Sequence, residues 1–273
     1  MTKLGMPVLP DGALGELTRT AHALAEIANI APDTHQAYVG TSAFAHKAGL
    51  HASAIKVDPE LYNHMDPVDV GNGQRVLVTE MAGRASVELK GSELGLDLAG
   101  HPEAVSAVAR TVKEREAAGW SFEAADASLE LLMRSAMGEE APAPFTLESY
   151  RVIIEHGADG GLLAEATVRV LVNGERLIAT QEGNGPVNAL DAALRAALAP
   201  HCPWLSAVRL SDYKVRILSR GTDAVTRVLV ESTDHDGSWT TVGVHGNVVE
   251  ASWLALVDAL AYAALRERVA VSS

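Results

Sequence analysis

The stretch Ala164-Glu165-Ala166-Thr167-Val168-Arg169-Val170-Leu171-Val172-Asn173-Gly174-Glu175-Arg176-Leu177-Ile178-Ala179-Thr180 decides the fold of the second half of this 273-residue chain. On both sides of Asn173-Gly174 the side chains alternate between apolar and polar, which is typical of strands with one buried face. Asn-Gly suits the tight turn of a β-hairpin because both residues tolerate positive φ. The stretch therefore predicts two antiparallel strands, at 164–172 and 177–180.

The same arrangement occurs twice in the sequence. A strand at 150–154 precedes the hairpin, and a helix at 186–198 follows it. The second set has three strands and a helix, at 212–218, 225–231, 239–244 and about 249–265. A shift of 62 positions places Ala189 on Ala251 and Leu194 on Leu256, so we predict an internal duplication of a β-β-β-α unit. Packing two units together covers apolar surface that one unit alone leaves exposed.

Residues before this region have helical periodicity. Apolar residues at helical spacing predict a helix at 14–30, and two further helices occupy 102–118 and 122–137. Pro142 and Pro144 cannot continue a helix, so we place a domain boundary there. The expected fold class is α+β, with helical subdomains at 33–140 and a duplicated β-β-β-α domain at 145–273. Residues 1–32 form a separate helical segment.

Composition narrows the function classes. The net charge of −13 and the lack of a basic stripe argue against a nucleic-acid partner. No run of about 18 apolar residues is present, and the first residues lack the features of a signal peptide, so we expect no membrane partner. Cys202 is the single cysteine, which fits a reducing cytoplasm because no internal disulfide can form.

Two histidines surround a glycine in the run Phe44-Ala45-His46-Lys47-Ala48-Gly49-Leu50-His51-Ala52-Ser53-Ala54-Ile55. Their spacing of five separates them by about 140° on a helix, so they do not form the i, i+4 pair typical of zinc sites. Two interpretations stay open for His46 and His51. Either they are polar packing residues, or one is a site histidine that titrates near neutral pH.

A glycine-rich junction joins strand to helix at Gln181-Glu182-Gly183-Asn184-Gly185-Pro186-Val187-Asn188. Free backbone N–H groups at such a helix start can hold a carboxylate or phosphate. The alternative is ordinary capping by Asn184 or Gly185. A dinucleotide loop fits badly because Asn188 replaces the third glycine. The second unit has a corresponding helix start, so we predict a small ligand near both, bound by Gly183, Asn184, Gly185, Pro186, Gly246, Asn247 and Val248.

Several motifs together resemble one family. They are the histidine run with the following segment 61–72, and the segments 182–194, 212–218 and 250–253. They are similar to the isopropylmalate, citramalate and homocitrate synthase family, and closer to its citramalate-forming members. The resemblance covers nearly the whole chain. Residues 9–30 look like the last helix of the catalytic TIM barrel, 38–138 like the linker subdomains, and the remainder like the allosteric dimerisation domain.

This resemblance implies a function. The family condenses acetyl-CoA with a 2-oxo acid, here pyruvate, to give (R)-citramalate for isoleucine biosynthesis. It implies a homodimer with isoleucine as the effector, and an accessory catalytic pair, His51 and Tyr62, able to relay a proton. The divalent metal that polarises the oxo group belongs to the barrel, so we expect no cofactor or metal site in this chain, and no activity from it alone. The alternatives are a 2-isopropylmalate synthase fragment and a stand-alone branched-chain amino-acid-binding module.

Overall fold

The computed structural model describes residues 9–30, 32–46, 54, 58, 65–73, 75–79, 83–139, 143–158, 160–219, 221 and 224–272. The chain divides into two compact units, Met1–Ala109 and Arg110–Ser273. Within the described ranges there are six α-helices: α1 Leu17–Ile27, α2 Arg84–Glu93, α3 Pro102–Ala117, α4 Asp126–Ala136, α5 Pro186–Leu198 and α6 Val248–Ser272. The strands are β1 Ala45–His46, β2 Arg75–Val76, β3 Thr146–His156, β4 Leu162–Val172, β5 Glu175–Gly183, β6 Arg209–Ile217, β7 Thr226–Thr233 and β8 Ser238–His245.

The first unit contains α1, α2, and the short parallel pair β1 and β2. Helix α1 begins later than predicted, after a 3-10 turn, and it ends at Ile27 because Asn29 adopts a φ of 52°. None of the α1 side chains is buried, and that of Ile27 is 82% exposed. The apolar stripe predicted from the sequence is therefore present but uncovered.

Helix α2 was not predicted, since its buried positions are mostly not apolar. They are Ser86, Val87, Lys90 and Gly91. The Lys90 ammonium lies 3.0 Å from the Glu93 carboxylate one turn later, which lets a lysine side chain be buried. Periodicity of apolar residues cannot reveal a helix of this kind.

The second unit contains the duplicated β-β-β-α arrangement, and the predicted α+β fold class is confirmed. One antiparallel sheet has the order β3-β4-β5 and the other β6-β7-β8. Each has an irregularity in its first strand, between Leu147 and Ser149 in β3 and between Leu210 and Asp212 in β6. These irregularities are 63 positions apart, so the duplication extends to the position of a β-bulge.

Each repeat buries the inner face of its sheet beneath its helix. In the first repeat, the small and β-branched residues of β4 pack against the leucines of α5, at Ala164, Ala166, Val168, Val170, Val172, Leu190, Leu194 and Leu198. Trp253 and Leu260 of α6 belong to the same cluster, whereas Ala251 and Ala255 pack on β7. Helix α6 thus joins the cores of both repeats.

Residues just upstream of the repeats pack onto the second sheet. Ser128 on α4 accepts a hydrogen bond from the backbone N–H of Val242 on the edge strand β8, at 3.1 Å. The Arg227 guanidinium of β7 donates to the carbonyls of Gly119 and Trp120, at 2.6 and 3.2 Å. Residues of the segment 110–139 therefore contact the second sheet. The domain boundary predicted from the sequence places this segment with the linker subdomains, and that boundary stays a prediction.

Helix α6 is long and apolar. By length and composition alone its Val248–Arg268 portion could cross a membrane, with a mean hydropathy of 1.6. Half of that portion is buried inside the protein, and the core helix of a soluble protein passes the same test. The contacts of α6 with both repeats account for its apolar character.

Candidate functional site

A cavity of about 840 Å³ lies where the first helix of the duplicated domain meets the first strand of the second repeat. Three groups of residues line it: Asn184, Gly185, Pro186, Val187, Asn188, Asp191 and Arg195 from the start of α5, Val208, Arg209, Leu210 and Tyr213 from β6 and the residue before it, and Val248 from the start of α6. This volume is in the usual range for a small-molecule site.

The start of α5 leaves backbone donors at one wall of the cavity. Gly185 is the N-cap residue, in an extended conformation with φ −176°, and no side chain caps the helix. Pro186 has no N–H, so Val187 and Asn188 present the first backbone donors. The Asn188 side chain accepts from the backbone N–H of Asn184 at 3.2 Å, which fixes the loop. The positive end of the helix dipole therefore faces the cavity, and this favours an anionic group.

The opposite wall, from β6, combines a cation with apolar surface. Arg209 is exposed at the cavity, whereas Leu210 and Tyr213 are half-buried. The Tyr213 hydroxyl lies 2.8 Å from Ser252 Oγ, and Ser252 donates to the Val248 carbonyl at 2.6 Å, so Tyr213 is the donor to Ser252. This bond engages the Tyr213 hydroxyl within the protein, and Tyr213 also lines the cavity.

An ion pair on α5 holds the two walls together. The Arg195 guanidinium binds both carboxylate oxygens of Asp191, at 2.8 and 2.9 Å, one turn away on the same helix. It also donates to the Val208 carbonyl at 2.8 Å, just before β6 begins. Because one rigid, planar side chain makes all three bonds, Arg195 positions the second repeat against the first.

The equivalent start of α6 differs from that of α5. Asn247 accepts from the backbone N–H groups of Val249 and Glu250, at 2.8 and 3.4 Å, so its side chain caps the helix. Trp253 stands 62 positions after Asp191, and its ring lies 5.1 Å from that of Tyr150 and 5.9 Å from that of Phe145. A large side chain thus fills the space that stays open beside Asp191 in the first repeat.

A tyrosine closes the same region from β3. The Tyr150 hydroxyl donates to the Glu250 carboxylate. Burial, and then this hydrogen bond with the charge of Glu250, raise the pKa of Tyr150. Tyr150 and Tyr213 occupy equivalent positions, 63 residues apart in the first strand of each repeat. The two predicted helix starts are therefore related by duplication, and both reach this cavity, the α5 start through residues 184–188 and the α6 start through Val248.

The predicted ligand-binding residues divide accordingly. Four of them line the cavity: Asn184, Gly185, Pro186 and Val248. Gly183, Gly246 and Asn247 do not. Gly183 has a packing reason to be glycine, since a Cβ there would lie 2.5 Å from the Ala189 nitrogen. Ligand binding at these residues stays a prediction, and His51 and Tyr62 lie outside the described residues.

Sequence reasoning missed the second wall of the cavity, formed by Arg209, Leu210 and Tyr213. The Asp191 and Arg195 pair was visible as an acid and a base four residues apart on a helix. The equivalence of Tyr150 and Tyr213 was also visible, but only through the shift between repeats. Within the described residues, no group of three or more histidine, cysteine, aspartate or glutamate side chains is placed to hold a metal ion.

Comparison with known proteins agrees with this architecture. Residues 38–119 match a domain described as homocitrate synthase post-HMGL domain-like. The (R)-citramalate synthase of Streptomyces coelicolor is 57% identical over 98% of this chain and 51% of its own length, and that of Synechocystis is 45% identical over 95% and 48%. A probable 2-isopropylmalate synthase of Methanopyrus kandleri is 32% identical over 93% and 49%. The chain spans about half the length of these relatives.

The two β-β-β-α repeats fall within one further match. Residues 123–264, about half of the chain, match the LeuA allosteric (dimerisation) domain. The match begins just before α4 and ends within α6, so it takes in both sheets, both repeat helices and the cavity between them. The chain therefore belongs to the family of proteins that carry the LeuA allosteric (dimerisation) domain.

Proposed function

We propose that this chain is the C-terminal part of an acyltransferase, an (R)-citramalate synthase that condenses acetyl-CoA with pyruvate in isoleucine biosynthesis. The observation that carries the proposal is the 57% identity to the Streptomyces coelicolor (R)-citramalate synthase over 98% of the chain. Relatives named 2-isopropylmalate synthase match at 28% to 32% identity, which supports pyruvate rather than a longer 2-oxo acid as the substrate.

The uncovered stripe of α1 supports an enzyme rather than a stand-alone sensing module. Leu24 and Ile27 are 59% and 82% exposed on a helix that resembles the last helix of the catalytic barrel. An amphipathic helix gains stability by burying such a stripe, and the neighbouring barrel elements of a complete synthase provide that cover. A free sensing module has no use for this helix.

The catalytic contribution of this chain is the accessory pair His51 and Tyr62. In the proposed reaction the histidine and the tyrosine hold or move a proton at the condensing carbons. The divalent metal of the family polarises the oxo group when bound. We assign the ligands of this metal to the barrel, as the family resemblance implies.

The regulatory contribution is the α5 cavity, which we assign to isoleucine. Its carboxylate is accommodated by the backbone N–H groups of Val187 and Asn188 with the nearby Arg209 guanidinium. Its branched side chain packs against Leu210 and Tyr213. The α5 start and Arg209 thus match the charged end of the amino acid, and Leu210 and Tyr213 match its apolar side chain.

We further propose that the protein is a cytoplasmic homodimer. The name of the matched domain includes dimerisation, and the single cysteine, Cys202, is buried in the core of the first repeat. The domain name supports the homodimer, and a single buried thiol fits a biosynthetic enzyme of a reducing compartment. We expect neither nucleic acid nor a membrane among its partners.

Thermal unfolding with added amino acids tests the assignment of the effector. A ligand that binds only the folded protein adds RT ln(1 + [L]/Kd), about 2.7 kcal/mol at a hundredfold excess over Kd. Isoleucine should raise the melting temperature more than leucine, valine or alanine at equal concentration. A shift with leucine alone would favour the 2-isopropylmalate synthase alternative, and no shift with any of the four would refute the regulatory site.

A further inference from the structure

An acidic side chain lines the α5 cavity one turn after the backbone donors. Asp191 follows Val187 by four residues and Asn188 by three, so it lies on the same side of α5 as both. Side chains of a helix lean toward its N-terminus, which brings the Asp191 carboxylate toward these N–H groups. Among the described residues that line the cavity, Asp191 alone carries a carboxylate. The cavity thus combines donors for an anion with an acceptor for a cation.

The Asp191 carboxylate keeps capacity for a further donor. Arg195 Nε donates to both of its oxygens, at 2.9 and 2.8 Å, so a single N–H is shared between them. No other donor from the described residues binds these oxygens. An ionised carboxylate has about four acceptor sites. The Asp191 side chain is only 17% exposed, so water can satisfy little of what remains.

The second repeat shows that its fold does not need a charged pair at these positions. The shift of 62 places Asp191 on Trp253 and Arg195 on Val257, and both of these apolar side chains pack in the core cluster of the first repeat. The acid therefore occurs in the repeat whose helix borders the cavity over its first three turns. Asp191 also orients Arg195, a structural role that would not affect which ligands the cavity prefers.

The spacing of these groups suits an α-amino acid. Its carboxylate and ammonium are attached to one carbon, so a site must present donors and an acceptor a few ångströms apart. Four residues of helix rise by about 6 Å, which separates the Val187 N–H from the Asp191 backbone by that distance before the side chain leans back. An ammonium has three N–H donors and no acceptor, and it forms strong, charge-assisted bonds to a carboxylate.

We propose that Asp191 accepts hydrogen bonds from the α-ammonium group of the effector, and that it makes the cavity select amino acids over carboxylic acids that lack this group. Arg195 is a positioning residue in this site, because its bond to the Val208 carbonyl fixes the guanidinium that holds the Asp191 carboxylate. The inference rests on the proposed isoleucine site and names the residue that recognises the ammonium.

Calorimetric titration with two ligands tests the assignment, since 3-methylpentanoate is isoleucine without its amino group. The unaltered chain should bind isoleucine at least tenfold more tightly than 3-methylpentanoate, the lower end for a hydrogen bond to a charged group. Asp191→Asn should raise the Kd for isoleucine at least tenfold. The same variant should leave the Kd for 3-methylpentanoate unchanged or lower it, because a negative charge near the ligand carboxylate is removed.

Glu130→Gln is the matched control, since Glu130 pairs with Arg134 at the same i, i+4 spacing on α4 and does not line the cavity. Both Kd values should stay unchanged in it. Asp191→Ser gives the same readout as Asp191→Asn without placing an amide beside Arg195.

The outcomes separate this inference from the isoleucine site itself. An unaltered chain that binds neither ligand overturns both. An unaltered chain that binds the two ligands equally tightly overturns the role of Asp191 alone. So does an Asp191 variant that keeps the Kd for isoleucine, or that weakens both ligands by the same factor, because the acid would then only support the shape of the cavity.

Discussion

Ser128 Oγ lies 2.7 Å from the Asp258 carboxylate, a contact that joins α4 to α6 across 130 residues. Burial raises the pKa of Asp258 to about 6, while the Ser128 hydroxyl and the charge of Arg115 act in the opposite direction. The same hydroxyl oxygen accepts from the Val242 N–H. One small side chain therefore satisfies a carboxylate and an edge-strand donor at once.

The raised pKa of Asp258 predicts a pH dependence of stability. Between about pH 4 and pH 6 the folded protein holds this proton more tightly than the unfolded chain does, so the free energy of unfolding falls as the pH rises. The loss continues as the pH rises through the folded pKa of about 6 and levels off above it. Asp258→Asn cannot ionise, so relative to the unaltered chain it should gain on the order of 1–2 kcal/mol between pH 4 and pH 7. Urea unfolding at both pH values measures this, and parallel curves would contradict it.

Ser128→Ala should act in the opposite direction at neutral pH. The change removes the donor to the Asp258 carboxylate and leaves the Val242 N–H of β8 without its acceptor. A buried group left without a partner costs about 1–3 kcal/mol. Urea unfolding at pH 7 should show a destabilisation in this range, with a smaller one at pH 4, where the carboxyl is protonated. A destabilisation that is the same at both pH values would show that the bond to Asp258 contributes nothing.

Two glycines of the α5 junction should differ sharply on substitution by alanine. A Cβ at Gly183 would lie 2.5 Å from the Ala189 nitrogen and 2.9 Å from its Cα, so backbone must shift. Overpacking of this kind costs about 1–3 kcal/mol. Gly185 has no neighbour within 4 Å of such a Cβ, and its φ of −176° suits any residue. Gly185→Ala should therefore cost less than about 1 kcal/mol, from a weaker N-cap alone. Equal losses in chemical unfolding would contradict this reading.

The sequence predicted the duplicated domain well because its signals are local. Alternation, the Asn173-Gly174 turn and the proline at the first turn of α5 each act within a few residues, and α5 was predicted with the bounds Pro186–Leu198 that the structure shows. Helix α2 was missed because Lys90 and Ser86 occupy its buried side. A buried lysine is stable only through a partner such as Glu93, and apolar periodicity does not report such pairs.

One wall of the candidate site could be predicted from the sequence, again because its signals are local. The α5 start could be found because glycine and proline have specific backbone roles. Its partner wall comes from Arg209 and Tyr213, which reach the cavity through the packing of one repeat on the other. The two helix starts differ in a single pair of side chains. The shift of 62 aligns Asp191 with Trp253, but only the packed structure shows that the tryptophan fills the space that stays open beside the aspartate.

Arg209 provides a test of carboxylate recognition in the cavity. Loss of a hydrogen bond to a charged group costs about 1.5–3 kcal/mol, equivalent to about a 10- to 150-fold weaker binding. Arg209→Ala should raise the Kd for isoleucine by that factor in calorimetric titration. Arg216→Ala is the matched control, since Arg216 is exposed on the same strand and does not line the cavity. A comparable loss in the control, or none in Arg209→Ala, would place the carboxylate elsewhere.

The last prediction concerns His51 and Tyr62, which should affect rate rather than folding. The chain alone should release no thiol from acetyl-CoA with pyruvate and magnesium, because the metal ligands are assigned to the barrel. Fusion to the N-terminal half of the Streptomyces coelicolor relative should restore citramalate formation. In that chimera, His51→Ala and Tyr62→Phe should each lower turnover about 10²-fold, the lower end for one general acid–base group. Circular dichroism and melting should stay unchanged. Full turnover in both variants would assign the two residues to packing, and robust turnover by the chain alone would refute the assignment of the catalytic metal to the barrel.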